Sequence, residues 1–144
     1  MNEVGEVVEG VHLGDCLDLL RTLPDGSAQL VVADPPYNIG PRFGVSKEWL
    51  HDPAWLEWCG EWLEECERVL TTDGNLFVYG IHHYLCLLHV RLYEMGMCYR
   101  RQIIWHYENG FSNHRRNLAT HYEPMLWFSK SPDSCFREIR EPYK

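Results

Sequence analysis

The apolar positions along this 144-residue chain change period several times, and each change marks an element. Val7-Val8-Glu9-Gly10-Val11-His12-Leu13 reads as a short strand, and Gly14-Asp15-Cys16 as the turn that leaves it. Asp15 is placed to cap a helix carried on Leu17, Leu19, Leu20 and Leu23, which Pro24-Asp25-Gly26 stops. Ala28 to Ala33 is apolar on both faces, as in a parallel strand buried on both sides. Strand, helix and strand with such short turns form a βαβ unit.

After Tyr37 the run Asn38-Ile39-Gly40-Pro41-Arg42-Phe43-Gly44 is rich in breakers and predicts a loop. Asp52-Pro53 then opens a helix. In it Trp55, Cys59, Trp62, Leu63, Cys66, Val69 and Leu70 recur at three- and four-residue spacing, and Glu57, Glu61, Glu64, Glu65 and Glu67 fill most of the remainder. Thr72-Asp73-Gly74 is expected to end this helix, and Asn75 to Tyr79 to be the third strand. A helix from Tyr84 to Glu94 closes at Gly96, and Tyr99 to His106 and Glu123 to Ser129 predict two further strands joined by a polar loop. Trp55, Trp58 and Trp62 are read as packing residues. No repeat, low-complexity tract or interdomain linker interrupts the chain.

Composition changes this picture little. An apolar fraction of 45%, with six Trp, eight Tyr and five Phe, suits one packed domain or a portion of one. No apolar run approaches the ~20 residues that cross a membrane. The acidic start Met1-Asn2-Glu3-Val4-Gly5-Glu6 has no signal-peptide character, so a cytoplasmic protein with no membrane partner is expected. The six cysteines form no CxxC pair and no metal-ligand spacing; they read as reduced thiols, with a disulfide framework as the alternative. His82-His83 lack partners at zinc spacing, and no metal is expected.

Charge adds a direction. The net −8 opposes a general nucleic-acid binder, but its distribution is uneven. Residues 1–99 hold 5 Lys/Arg against 16 Asp/Glu, whereas residues 100–144 hold 8 against 5. Phosphate contacts are therefore expected from the last third, where Arg100, Arg101, Arg115 and Arg116 lie with His114 and His121 between them.

The chemically loaded stretch is Asp34-Pro35-Pro36-Tyr37, directly after the Ala28–Ala33 strand. In open α/β sheets the carboxyl ends of the strands are where ligands bind. The motif and its ordered surroundings resemble the permuted, beta group of DNA amino-methyltransferases, which methylate adenine N6 or cytosine N4. The resemblance runs from Val11 to Lys144. It rests on Gly14-Asp15, a helix closed by Leu-Pro-Asp-Gly-Ser, Asp-Pro-Pro-Tyr-Asn, a Trp-rich helix ending Arg68-Val69-Leu70, and Asp73-Gly74-Asn75-Leu76-Phe77-Val78. Ile103-Ile104-Trp105, Asn109-Gly110, Arg115-Arg116 and His121-Tyr122-Glu123-Pro124-Met125-Leu126-Trp127-Phe128-Ser129-Lys130 continue it in order.

That resemblance implies an α/β fold: a partial Rossmann-like S-adenosylmethionine-dependent methyltransferase sheet with flanking helices, its C-terminal strands forming a hairpin. It implies S-adenosyl-L-methionine as cofactor and double-stranded DNA as partner, in a prokaryotic or phage-encoded protein. Asp34, Pro35, Pro36 and Tyr37 are the catalytic residues it implies. Asp34 and the Pro35 carbonyl would accept the amine hydrogens of a flipped base, and Tyr37 would stack on its ring. Asp15 and Cys16, with Asp34, would contact the cofactor, although Asp15 also makes sense purely as a helix cap. Asn38, Phe111, His114, Arg115 and Arg116 would approach DNA and base, with turn and solvated-loop roles as alternatives. Glu123 would orient the motif loop. Adenine N6 is favoured over cytosine N4, because the family's cytosine members more often begin the motif with Ser. An RNA or protein-glutamine substrate is disfavoured, since that motif usually begins with Asn.

One part of the pattern is missing. No Asp-Pro-Phe-x-Gly-x-Gly-like cofactor segment and no target-recognition region occurs in residues 1–144, which read as a portion of one catalytic domain. The family sheet order is 3-2-1-4-5-7-6, and this chain should supply strands 3, 4, 5, 6 and 7. The Asp34 strand would then have an open edge and exposed apolar side chains, unless the first strand closes up beside it. The open edge implies a complementary methyltransferase fragment or a homodimer as partner. The readings left are the N-terminal half of a longer gene, a subunit of a split enzyme, and a non-catalytic remnant that binds DNA or a partner.

Overall fold

The computed structural model describes residues 10–38, 52–110 and 118–138. Seven elements follow one another: α1 (Cys16–Thr22), β1 (Ala28–Ala33), α2 (Asp52–Val69), β2 (Leu70–Tyr79), α3 (His82–Glu94), β3 (Cys98–His106) and β4 (Tyr122–Ser129). The strands form one sheet in the order β1-β2-β4-β3. β1 runs parallel to β2, β4 is antiparallel to β2, and β3 and β4 pair antiparallel as the expected C-terminal hairpin. This order matches the 4-5-7-6 portion of the sheet that the resemblance implies.

The three helices cover one face. Trp55, Cys59, Trp62, Leu63 and Cys66 of α2 and Leu85, Leu88 and Leu92 of α3 pack with Leu76 and Val78 of β2 and Leu126 and Phe128 of β4. Period 3.6 on the helices and period 2 on the strands bring these side chains to one core. Asp15 caps α1 as its position predicts, accepting from the Leu17 amide at 2.8 Å. Arg68, at the end of α2, donates to the Leu20 and Leu23 carbonyls at 2.7 and 2.8 Å, tying the carboxyl end of α1 to α2.

The opposite face is largely bare among the described residues. Leu30 and Val32 of β1 are 57% and 59% exposed, and Trp105 of β3 is 64% exposed. Among the described residues β1 pairs only with β2, so none of them covers its other edge, in line with the open edge that the resemblance implies.

Three expectations are corrected. β1 is not buried on both sides: only Val31 and Ala33 turn towards the core, while Leu30 and Val32 stay exposed at the end of the strand order. Residues 7–9 of the expected first strand lie outside the described residues, and Gly10 to Leu13 form no strand. Val11 and Leu13 are fully exposed, and no strand among the described residues offers this segment a ladder. The third correction concerns Thr72-Asp73-Gly74, expected as a turn. It lies inside β2, which begins immediately after α2 at Leu70. The extra residues are absorbed as an irregularity opposite β1, where Ala28 pairs with Leu70 but Leu30 already pairs with Asn75. Gly74 permits this compact bend: a Cβ there would lie 2.8 Å from Leu70 Cδ2 and 2.9 Å from the Thr71 carbonyl.

Candidate active site

The carboxyl end of β1 delivers Asp34 beside the carboxyl end of β2, where Ala33 pairs with Val78. β4 is antiparallel, so its first residues arrive at this same end of the sheet, with Met125 opposite Tyr79. Glu123 pairs with Trp105 on β3, so the carboxyl end of β3 lies at this same edge of the sheet, on the far side of β4. The loop between β3 and β4 leaves from this edge, its base closed by the Tyr107 amide donating to the His121 carbonyl at 2.9 Å.

Within the motif Asp34 is exposed, Pro35 is buried, and Pro36, Tyr37 and Asn38 are half-buried. Two successive prolines restrict φ and carry no N–H, so the backbone here offers only carbonyl oxygens to its surroundings. The Pro36 carbonyl accepts from Trp55 Nε1 at 3.0 Å. Asn38 has φ of 53°, a left-handed conformation that Asn tolerates better than most residues. Its Nδ2 donates to the Tyr84 hydroxyl at 3.2 Å. Burial, a hydrogen bond with the Asp34 side chain and the nearby charges of Asp34 and Glu123 push the Tyr37 phenol above its ordinary range. Tyr37 is thus a neutral hydroxyl that can donate to the carboxylate, and Glu123 is close enough to act on it.

The expected site residues fall into three groups. Asp34, Pro35, Pro36, Tyr37 and Asn38 are together in one loop at the carboxyl end of β1. Asp15 and Cys16 stand at the start of α1; the Asp15 carboxylate is engaged with the Leu17 amide, and Cys16 is exposed. Desolvation on its inner side and then the Asp15 charge push the Cys16 thiol up from its ordinary value. Phe111, His114, Arg115 and Arg116 lie outside the described residues. Of the two other arginines expected to contact phosphate, Arg100 is turned inward, donating to Ser129 Oγ at 2.7 Å and the Ser131 carbonyl at 3.0 Å. Arg101 is exposed.

Sequence reasoning assigned Trp55 only a packing role and did not single out Tyr84 as a site residue. The available signal was an aromatic with a polar tip in the first turn of each helix bordering this end of the sheet.

Residues 28–144 match a family described as DNA methylase, N6_N4_Mtase. The Type II methyltransferase M.BglII of Bacillus subtilis is 34% identical over 145 residues, covering 93% of this chain and 39% of the relative. The DNA adenine methyltransferase YhdJ of Escherichia coli K12 is 30% identical over 127 residues, covering 88% of this chain and 42% of the relative. Among solved structures, a Thermus thermophilus protein described as a DNA modification methylase, complexed with S-adenosyl-L-methionine, superposes with a TM-score of 0.64 at 23% identity. That match covers 92% of this chain and 58% of the other. The chain therefore spans about two-fifths of the length of the two curated relatives.

Proposed function

The chain belongs to the N6_N4_Mtase family of DNA methylases, and from that premise we propose that it supplies the base-binding loop of a DNA amino-methyltransferase. The observation that carries this reading is the Asp34–Asn38 loop, with an exposed carboxylate, a buried Pro35, a half-buried Pro36 and a half-buried tyrosine at the carboxyl end of β1.

The exocyclic amine of adenine or cytosine is a weak nucleophile, because its lone pair is delocalised into the ring. Asp34 and the Pro35 carbonyl accept the amine hydrogens and draw the nitrogen towards a tetrahedral shape. Asp34 can then hold the proton that the amine releases. Tyr37 presents its ring to a base turned out of the duplex. The prolines place these groups before the substrate arrives, which lowers the cost of ordering them.

S-adenosyl-L-methionine, when bound, supplies an electrophilic methyl group. Asp34, exposed at the strand end, and Asp15 and Cys16, at the start of α1, would hold one side of its site. The Asp15 oxygen that caps α1 is committed, so a cofactor contact would use its other oxygen. Adenine N6 is the favoured target, since the motif begins with Asp; the adenine-specific relative is in keeping with that choice. Double-stranded DNA is the proposed partner, with Asn38, Phe111, His114, Arg115 and Arg116 contributing contacts. The open β1 edge supports a complementary methyltransferase segment that adds strands there and brings a glycine-rich cofactor loop.

The test is transfer of labelled methyl to DNA by this chain together with such a segment. Asp34→Ala should lower transfer by about 10²-fold or more. Equal labelling by the variant and the parent overturns the proposal.

A further inference from the structure

We propose that Trp55 and Tyr84 are positioning residues that clamp the Asp34–Asn38 loop from two helices, one on each side of Tyr37. The inference rests on the methyltransferase reading and names residues that set the geometry of that same site.

A Pro-Pro backbone has no amide hydrogen for two residues, so it cannot be secured by its own N–H groups. The carbonyls are its only backbone handles. Trp55, 1% exposed in the first turn of α2, takes the Pro36 carbonyl at 3.0 Å. A peptide group is planar, so fixing the Pro36 oxygen also fixes the nitrogen of Tyr37. On the other side of Tyr37, Asn38 Nδ2 reaches the Tyr84 hydroxyl on α3 at 3.2 Å. The two anchors brace one another, because the Trp55 and Tyr84 rings meet with centroids 4.9 Å apart at 50°. His83 packs on Tyr84 at 4.2 Å.

Tyr37 is therefore bracketed. Its own ring is left to meet the base, while the residues before and after it are tied to α2 and α3. The clamp also divides the two proline carbonyls: the indole takes that of Pro36, and the amine would take that of Pro35.

Trp55→Phe removes the indole N–H and keeps a buried ring; Tyr84→Phe removes one hydroxyl and nothing else. In both variants the amide order parameters of Tyr37 and Asn38 should fall from about 0.85 to below about 0.6, with those of α2 and α3 unchanged. In the complemented methylation assay kcat should fall about tenfold, with KM for S-adenosyl-L-methionine unchanged. A side chain that only packs would lower thermal stability and leave both readouts where they are. Unchanged order parameters in Tyr84→Phe overturn the clamp, even where Trp55→Phe fails to fold. Lowered order parameters with unchanged kcat overturn its role in the reaction. If the parent chain transfers no methyl at all, the functional reading fails separately, and the order parameters still decide the clamp.

Discussion

Phe77 and Trp127 stack across β2 and β4, their ring centroids 5.5 Å apart and their planes 15° from parallel, on the sheet face the helices leave uncovered. They are direct cross-strand partners, and Trp127 is further held by its Nε1 donating to Asn75 Oδ1 at 2.8 Å. Phe136 leans on the same indole at 5.6 Å. This aromatic cluster gives one half of the open face some cover, whereas Leu30 and Val32 at the β1 edge have little.

The chain should accordingly self-associate through β1. Burying a Leu or Val side chain contributes about 1.5–3 kcal/mol, so two of them beside an unpaired strand edge favour contact. Leu30→Lys with Val32→Lys should shift sedimentation towards monomer and leave the circular dichroism spectrum intact. An unchanged distribution of species would remove the β1 face as the cause.

Arg68 should matter more than a surface arginine. Beyond its two carbonyl bonds it pairs with Glu65 at 2.7 Å, with its side chain 27% exposed. Arg68→Met keeps most of the aliphatic stem but leaves the Leu20 and Leu23 carbonyls without this donor. A loss of about 1.5–3 kcal/mol is expected in urea unfolding, the range for hydrogen bonds to charged groups. Retained stability would mean that α1 is held by Leu17 and its neighbours alone.

Alkaline pH should destabilise the fold through two buried thiols. Burial pushes Cys59 from its ordinary 9.0 up to about 12, against a smaller opposing effect of Trp62. Burial, assisted by Cys16 and Glu65, does the same for Cys66. Above pH 9 the unfolded chain gives up these protons while the folded chain keeps them, so stability falls as pH rises from about 9 to about 12 and is complete below that window. The slope should approach about 1 kcal/mol per pH unit for each thiol, and Cys59→Ala with Cys66→Ala should flatten it. Native-state alkylation should reach Cys16, Cys86 and Cys135 first, since these are exposed.

Gly74→Ala should cost about 1–3 kcal/mol, because the new methyl collides with Leu70 and the Thr71 carbonyl. Gly96→Ala is a useful contrast. Its site has open space but a φ of +80°, so any cost there is conformational rather than steric. Thermal unfolding of the two variants separates the effects.

Helices α2 and α3, strands β1, β3 and β4 and the Asp34–Tyr37 loop were legible in the chain, because burial imposes periods of 3.6 and 2 on local sequence and Pro, Gly and Asp punctuate it. Asp15 as a cap was legible for the same reason, since its hydrogen bond spans two residues. The segment 71–74 was not. A turn and a strand irregularity use the same small polar residues, and only the pairing of Leu30 with Asn75 distinguishes them. Gly10 to Leu13 had a strand's pattern but no neighbour among the described residues to pair with. The links from Trp55 to Pro36 and from Asn38 to Tyr84 span 19 and 46 residues. No local pattern carries such contacts: they exist only because the sheet brings the starts of α2 and α3 to the end of β1, where the motif stands.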